Sequence, residues 1–223
     1  MNLLEKFNIV PKDRHLYDVA FTHGSYGTKH GLDYTYERLE FLGDSVLNMI
    51  VSEYLYKQYP DYEEGKLTKL RANYVCQTAL IYYSHELGLD KHIKIYGDDS
   101  KITENEVLSI TADVFESFLG AIFLDQGIEF AKDYISKIIF PYIDAKKVFF
   151  FDYKSVIKEY GDAQEVDIEY KIIDECGVPH NKTFIIFILI DGKEMGVGKG
   201  KNKKEAEQAA SKQAMKKLKI QKY

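Results

Sequence analysis

Glu37-Arg-Leu-Glu-Phe-Leu-Gly-Asp44 sets three carboxylates into an otherwise apolar stretch, and from Leu32 to Tyr56 the only Lys or Arg is Arg38. The segment has helical periodicity over about residues 34–59. At 100° per residue Glu40 and Asp44 fall about 40° apart and Glu37 about 20° beyond Asp44, while Leu39, Leu42, Val46 and Ile50 fill other directions. Carboxylates removed from water without partners are strongly disfavoured, so such a stripe either protonates or receives a divalent cation.

A second segment repeats the arrangement. Asp113 and Glu116 interrupt the apolar helical pattern from Ile110 to Leu124, and no Lys or Arg occurs between Lys101 and Lys132. Acids at helical spacing are usually a solvated face. Here they sit on two helices that need burial, and two such helices can meet to give an oxygen-ligand site of the kind hard cations prefer, with Mg²⁺ as the natural occupant and Mn²⁺ able to replace it.

With 223 residues and 45% hydrophobic content, the chain can bury the core of one or two domains and is too apolar to be disordered. The longest uninterrupted apolar run is Phe184 to Ile190, short of the roughly 20 residues a membrane helix needs. The Met1-Asn-Leu-Leu-Glu-Lys6 start lacks a signal-peptide layout, so the chain is expected to be soluble and cytoplasmic, without a membrane partner. Cys76 and Cys176 have no metal-ligand spacing and read as free thiols. Charge is unevenly spread: residues 1–151 carry 16 basic and 23 acidic residues, whereas 152–223 carry 14 and 12. From Gly196 to Tyr223 nine lysines face Glu205 and Glu207 alone, which gathers positive charge where a polyanion could bind.

The periodicity predicts helices over about residues 3–7, 12–21, 34–59, 63–88, 103–125 and 128–142, and no internal repeat is visible. Residues 143–152 read as a short connection, although Val148-Phe-Phe-Phe151 is apolar enough to pack on something. The pattern then changes to a short helix at 153–160 and a strand at 165–174, followed by a turn with Gly177 and Pro179. A strand at 183–190, the Asp191-Gly192 hairpin signal, a strand at 193–200 and a helix at 203–218 complete it. Asn202 followed by Glu205 suits the start of that last helix.

The sequence from Glu37 to Ser45, with Gly65-Lys-Leu-Thr-Lys-Leu-Arg-Ala72 and Thr111 to Asp125, resembles bacterial ribonuclease III. The segments Gly177 to Phe184 and Gly198 to Ala210 resemble the double-stranded RNA-binding domain that follows the nuclease domain in that family. The resemblance implies an all-α endonuclease domain over residues 1–145 and a small α+β domain of α-β-β-β-α order over 152–221. It also implies a homodimer that cleaves both strands of duplex RNA with Mg²⁺, leaves 5′-phosphate and 3′-hydroxyl ends, and serves ribosomal and other RNA processing. By motif position Glu40, Asp113 and Glu116 match metal ligands, Asp44 and Glu116 match the residues most needed for catalysis, and Glu37 and Glu64 match accessory acids.

Duplex RNA hides its base edges and offers 2′-hydroxyls and phosphates, so its reader needs shape-matched contacts and cations rather than a base code. Lys201, Lys203 and Lys204 at the start of the last helix fit phosphate contact, helped by free helix N–H groups. The resemblance assigns minor-groove contacts to His180, Ser155 and Lys158. Lys158 and Asp162 stand where the family usually has Gln, and Asp162 would repel phosphate, which predicts weaker or less selective duplex binding. Tyr36 replaces a usual Asn, a change that reads as a surface swap or an altered dimer or RNA contact. His23, alone beside a loop, reads as structural. The competing reading is a non-catalytic duplex-RNA binder on a nuclease scaffold, and the presence of all four cluster acids argues against it. A helical phosphohydrolase of small nucleotides should show His-Asp pairs and leaves the RNA reader unexplained.

Overall fold

The computed structural model describes residues 3–97, 103–176 and 182–220, and its contacts separate two units, Met1–Phe150 and Phe151–Tyr223. The first unit is helical, with α1 (Leu3–Lys6), α2 (Arg14–Ala20), α3 (Gly24–His30), α4 (Glu37–Gln58), α5 (Glu64–Val75), α6 (Gln77–Leu87), α7 (Glu104–Gln126), α8 (Ile128–Ile138) and α9 (Phe140–Asp144). Its core is built on α4 and α7. The buried face of α4 runs through Leu39, Gly43, Val46, Leu47, Ile50, Val51 and Leu55, the i, i+4, i+7 recurrence of a helix that packs along one side. It stops before Pro60, because a residue preceding proline avoids the α conformation.

Helix α7 is apolar nearly all round, with Val114, Phe115, Phe118, Leu119, Ala121 and Ile122 all fully buried. It is long and apolar enough to cross a membrane by length and composition, with a mean hydropathy of 1.7, yet 61% of that stretch is buried inside the protein. A capping box fixes its start: Thr103 Oγ1 accepts from the Glu106 N–H at 3.2 Å, and Glu106 Oε2 accepts from the Thr103 N–H at 2.7 Å.

Three helices depart from the periodicity. The span expected as one helix over 63–88 breaks at Cys76, which is extended (φ −72, ψ 156) and whose carbonyl accepts from the Ala79 and Leu80 N–H groups. No glycine or proline marks that break; the packing of Tyr74 and Tyr83, both fully buried, overrides propensity there. The span 128–142 divides at Ile139, because Pro141 has no N–H to continue the ladder and suits a fresh first turn. Helix α3 lies outside the spans the periodicity predicts; His23 caps one end and Gly31 (φ 64) closes the other.

The apolar run after α9 does pack. Phe149 lies 5.2 Å from the Tyr83 ring and 5.3 Å from Tyr82. Asn73 Oδ1 accepts from both the Phe149 and Phe150 N–H groups at 2.8 and 2.9 Å, and its amide donates to the Lys147 carbonyl at 2.9 Å. Lys147 Nζ rests 3.4 Å from the Tyr82 centroid.

The second unit contains α10 (Tyr153–Gln164), β1 (Ile168–Cys176), β2 (Thr183–Ile190), β3 (Lys193–Gly200) and α11 (Lys203–Lys217). The sheet order is β1-β2-β3, antiparallel throughout. β1 begins later than expected because Glu165 closes α10 in the left-handed conformation, φ 53. Asp191 and Gly192 take positive φ, 48 and 72, as a tight hairpin turn of matching twist requires. Gly196, Gly198 and Gly200 turn every second β3 position toward α11, and a Cβ on Gly198 would stand 1.9 Å from the Ala206 carbonyl. This strand–helix contact, with Ile157, Ile188 and Met215, forms the second core. The turn bearing Gly177, Pro179 and His180 lies outside the described residues.

Candidate active site and nucleic-acid interface

Gly43 and Gly120 bring α4 and α7 into main-chain contact. A Cβ on Gly43 would stand 1.8 Å from the Glu116 carbonyl oxygen, and one on Gly120 2.3 Å from the Leu39 carbonyl oxygen. Only glycine permits that approach. Glu40 and Asp44 flank Gly43 on α4, while Glu116 lies one turn before Gly120 and Asp113 another turn earlier. The crossing therefore presses the two acid sets toward each other.

The electrostatics follow. Burial pushes the Glu116 carboxyl up to about 8, with Asp44, Glu40 and Asp113 adding to it. Burial likewise pushes Glu40 up to about 7, reinforced by Asp113, Glu37 and Asp44. Asp113 is raised by burial but held back by a hydrogen bond from Tyr36 and by the charge of His23. The charges acting on these three carboxyls are carboxylates apart from His23, and no lysine or arginine among the described residues neutralises them. Burial is the first cause for all three, and crowding by like charge adds to it at Glu40 and Glu116.

The acids are less buried than the sequence suggested: Glu40, Asp113 and Glu116 are half-buried, and Glu37 and Asp44 are exposed. Among the described residues no three Asp, Glu, His or Cys side chains are gathered tightly enough to clasp an ion. The donor set is hard oxygen with uncompensated negative charge. That fits a divalent cation which retains water in its coordination shell.

Three further residues shape the cleft. Asn48, one turn after Asp44, donates to Asp44 Oδ1 at 2.6 Å. Tyr36 is not a surface residue: it is 4% exposed, and its hydroxyl donates to Asp113 Oδ2 at 3.1 Å. His23 caps α3 and packs its ring 5.8 Å from that of Tyr36. The helical phase of Asn48 relative to Asp44 was a usable signal; nothing local foretold Tyr36 reaching α7. Glu64, at the start of α5, is exposed and accepts from Thr68 Oγ1 at 2.9 Å. It is not among the charges acting on the three raised carboxyls.

In the second unit Lys201, Lys203 and Lys204 are all exposed at the start of α11. The helix end is partly closed, contrary to the expectation of free N–H groups there: Asn202 Oδ1 accepts from the Glu205 N–H at 2.9 Å, and Glu205 Oε2 accepts from the Lys201 N–H at 2.9 Å. Cationic side chains, more than backbone amides, are what this end offers. Lys158 and Asp162 are exposed on α10. Ser155 is engaged within its own helix start, its hydroxyl donating to Asp152 Oδ2 at 2.6 Å. His180 lies outside the described residues.

Comparison with known proteins gives a family model described as ribonuclease-III-like over residues 13–143 and one for the double-stranded RNA binding motif over 153–218. A protein named Ribonuclease 3 from Latilactobacillus sakei is 43% identical over 209 residues, covering 92% of this chain and 90% of its own. The Ribonuclease 3 of Anoxybacillus flavithermus is 43% identical over 221 residues, covering 96% of this chain and 92% of its own. The nuclease domain of ribonuclease III from Campylobacter jejuni, solved in work on flexibility of a region involved in dimer formation, superposes with a TM-score of 0.56 at 36% identity. That match covers 61% of this chain and 93% of that one.

Proposed function

The chain belongs to the ribonuclease III family, an endoribonuclease with an appended double-stranded RNA-binding domain, and on that premise we propose that it hydrolyses both strands of duplex RNA with Mg²⁺. The nuclease domain spans residues 1–145 and the RNA reader 152–221. Family membership implies a divalent metal in general. Mg²⁺, which Mn²⁺ can replace, is the assignment favoured by an all-carboxylate donor set. The observation that carries the reading is the uncompensated acid group where Gly43 meets Gly120.

Glu40, Asp113 and Glu116 would hold the cation. When bound, it supplies a more acidic water and neutralises charge on the reacting phosphate. Asp44 orients the attacking water and accepts its proton, with one carboxylate oxygen fixed by Asn48. Glu37 and Glu64 serve as accessory acids. Lys201, Lys203 and Lys204 take up RNA phosphates, while Ser155, Lys158 and His180 approach the minor groove, and Asp162 weakens that second contact.

The enzyme acts as a homodimer. Phe41 is 78% exposed and borders a surface hollow of about 920 Å³ lined by Leu16, Val19, Leu39, Leu42 and Leu124. A self-complementary knob and hollow of this kind suit a two-fold interface, and the Campylobacter jejuni nuclease domain has a region involved in dimer formation. The products carry 5′-phosphate and 3′-hydroxyl ends. The setting is cytoplasmic processing of ribosomal and messenger RNA.

Incubating the purified protein with a long RNA duplex tests this. Mg²⁺ should yield short duplexes with 5′-phosphates, EDTA should stop the reaction, and single-stranded RNA should survive. A duplex left intact with Mg²⁺ and with Mn²⁺ would refute the proposal.

A further inference from the structure

We propose that Tyr36 is a positioning residue, its hydroxyl fixing Asp113 for a divalent cation; this rests on the metal-dependent reading above. Tyr36 is anchored on both sides by main-chain bonds. Its N–H donates to the Thr22 carbonyl at 2.9 Å, and its own carbonyl accepts from the Leu39 and Glu40 N–H groups at 2.9 Å each. The side chain starts from the turn that carries Glu37 and Glu40 and ends on Asp113 of α7 at 3.1 Å. It thus ties the two acid-bearing helices together at the acids themselves.

Among the described residues Glu40 and Glu116 receive no such donor, so Asp113 is the member of the half-buried trio whose orientation is set by the protein. One carboxylate oxygen is occupied and the other is left for a ligand. A buried phenol suits the task. An uncharged hydroxyl donates to Asp113 without adding negative charge to the acid group. His23 backs the ring, and its own Nδ1 accepts from the Ser25 N–H at 3.2 Å. Partners that orient a metal ligand typically change metal affinity or activity by 10- to 100-fold when removed.

The test compares full-length wild type, Tyr36→Phe and Asp113→Asn. Mn²⁺ binding is measured without RNA by the loss of the free-ion electron paramagnetic resonance signal, below the melting temperature of all three. Tyr36→Phe should bind Mn²⁺ roughly 10-fold more weakly. The Mg²⁺ concentration for half-maximal cleavage should rise by the same factor, while the KM for RNA and the rate at saturating Mg²⁺ stay within about 2-fold of wild type. Wild-type Mn²⁺ affinity in Tyr36→Phe, with weakened binding in Asp113→Asn, would overturn the role of Tyr36 alone. A rate deficit in Tyr36→Phe that Mg²⁺ does not repair would also overturn it. Undiminished binding in Asp113→Asn would overturn the metal assignment beneath it.

Discussion

Glu116 and Asp125 share helix α7, yet their surroundings are opposite. Asp125 is 6% exposed and accepts from the Lys12 N–H at 3.0 Å, the Asp13 N–H at 2.8 Å, the Tyr17 hydroxyl at 2.8 Å and the Gln126 amide at 2.5 Å. Burial raises its pKa, but these donors together hold it below the usual aspartate range. Glu116 meets other carboxylates instead, and rises to about 8. Burial is common to both; the supply of donors separates them. A carboxylate surrounded by N–H and O–H groups closes the fold, and one surrounded by like charges waits for something from outside.

The sharpest way to test the contrast is Glu116→Gln. Cleavage should fall roughly 10³-fold or more, while the metal-free protein becomes less sensitive to pH. The sign is fixed by the raised value. Between the ordinary glutamate pKa of 4.5 and about 8 the native state holds a proton that the unfolded chain releases, so this group's effect on stability is absent below pH 4.5 and grows unfavourable as pH rises. Melting in EDTA at pH 5 and pH 8.5 should therefore show a steeper decline for wild type than for the variant, by about 2–5 °C. Equal declines would break the comparison.

Gly43→Ala tests the geometry beneath it. The new methyl would strike the Glu116 carbonyl, and overpacking of this kind costs about 3 kcal/mol, or a fall in melting temperature of about 6–12 °C. A variant that melts within 2 °C of wild type would show that the helices can separate without penalty. Asp125→Asn is the gentler probe at the other end of α7. It should lower stability by about 2 kcal/mol by disturbing charge-assisted bonds, with turnover per folded molecule unchanged. That loss should shrink as pH falls through the depressed Asp125 pKa, because a lowered carboxyl stabilises only while it is ionised. Urea denaturation at pH 7 and pH 3 measures both.

Both acid-bearing helices were legible in the sequence because helical periodicity and the absence of lysine and arginine are local patterns. The Asp191-Gly192 turn and the Asn202 cap were legible for the same reason: each is decided within four residues. What escaped notice depends on contacts distant in sequence. The break at Cys76 is imposed by packing of Tyr74 and Tyr83, and Tyr36 acquires its partner 77 positions away. Glycines 43 and 120 lay in plain view inside the quoted motifs, but a missing side chain announces nothing until its neighbour is known.

Because the contact at Gly43 and Gly120 is made by carbonyl and amide atoms, the width of the cleft is set by the polypeptide backbone, which has no rotamers to exchange. Side chains elsewhere in the core can drift among shapes of similar volume while that gauge stays constant. The protein can therefore tolerate change in most of its interior and still hold its acids at one separation.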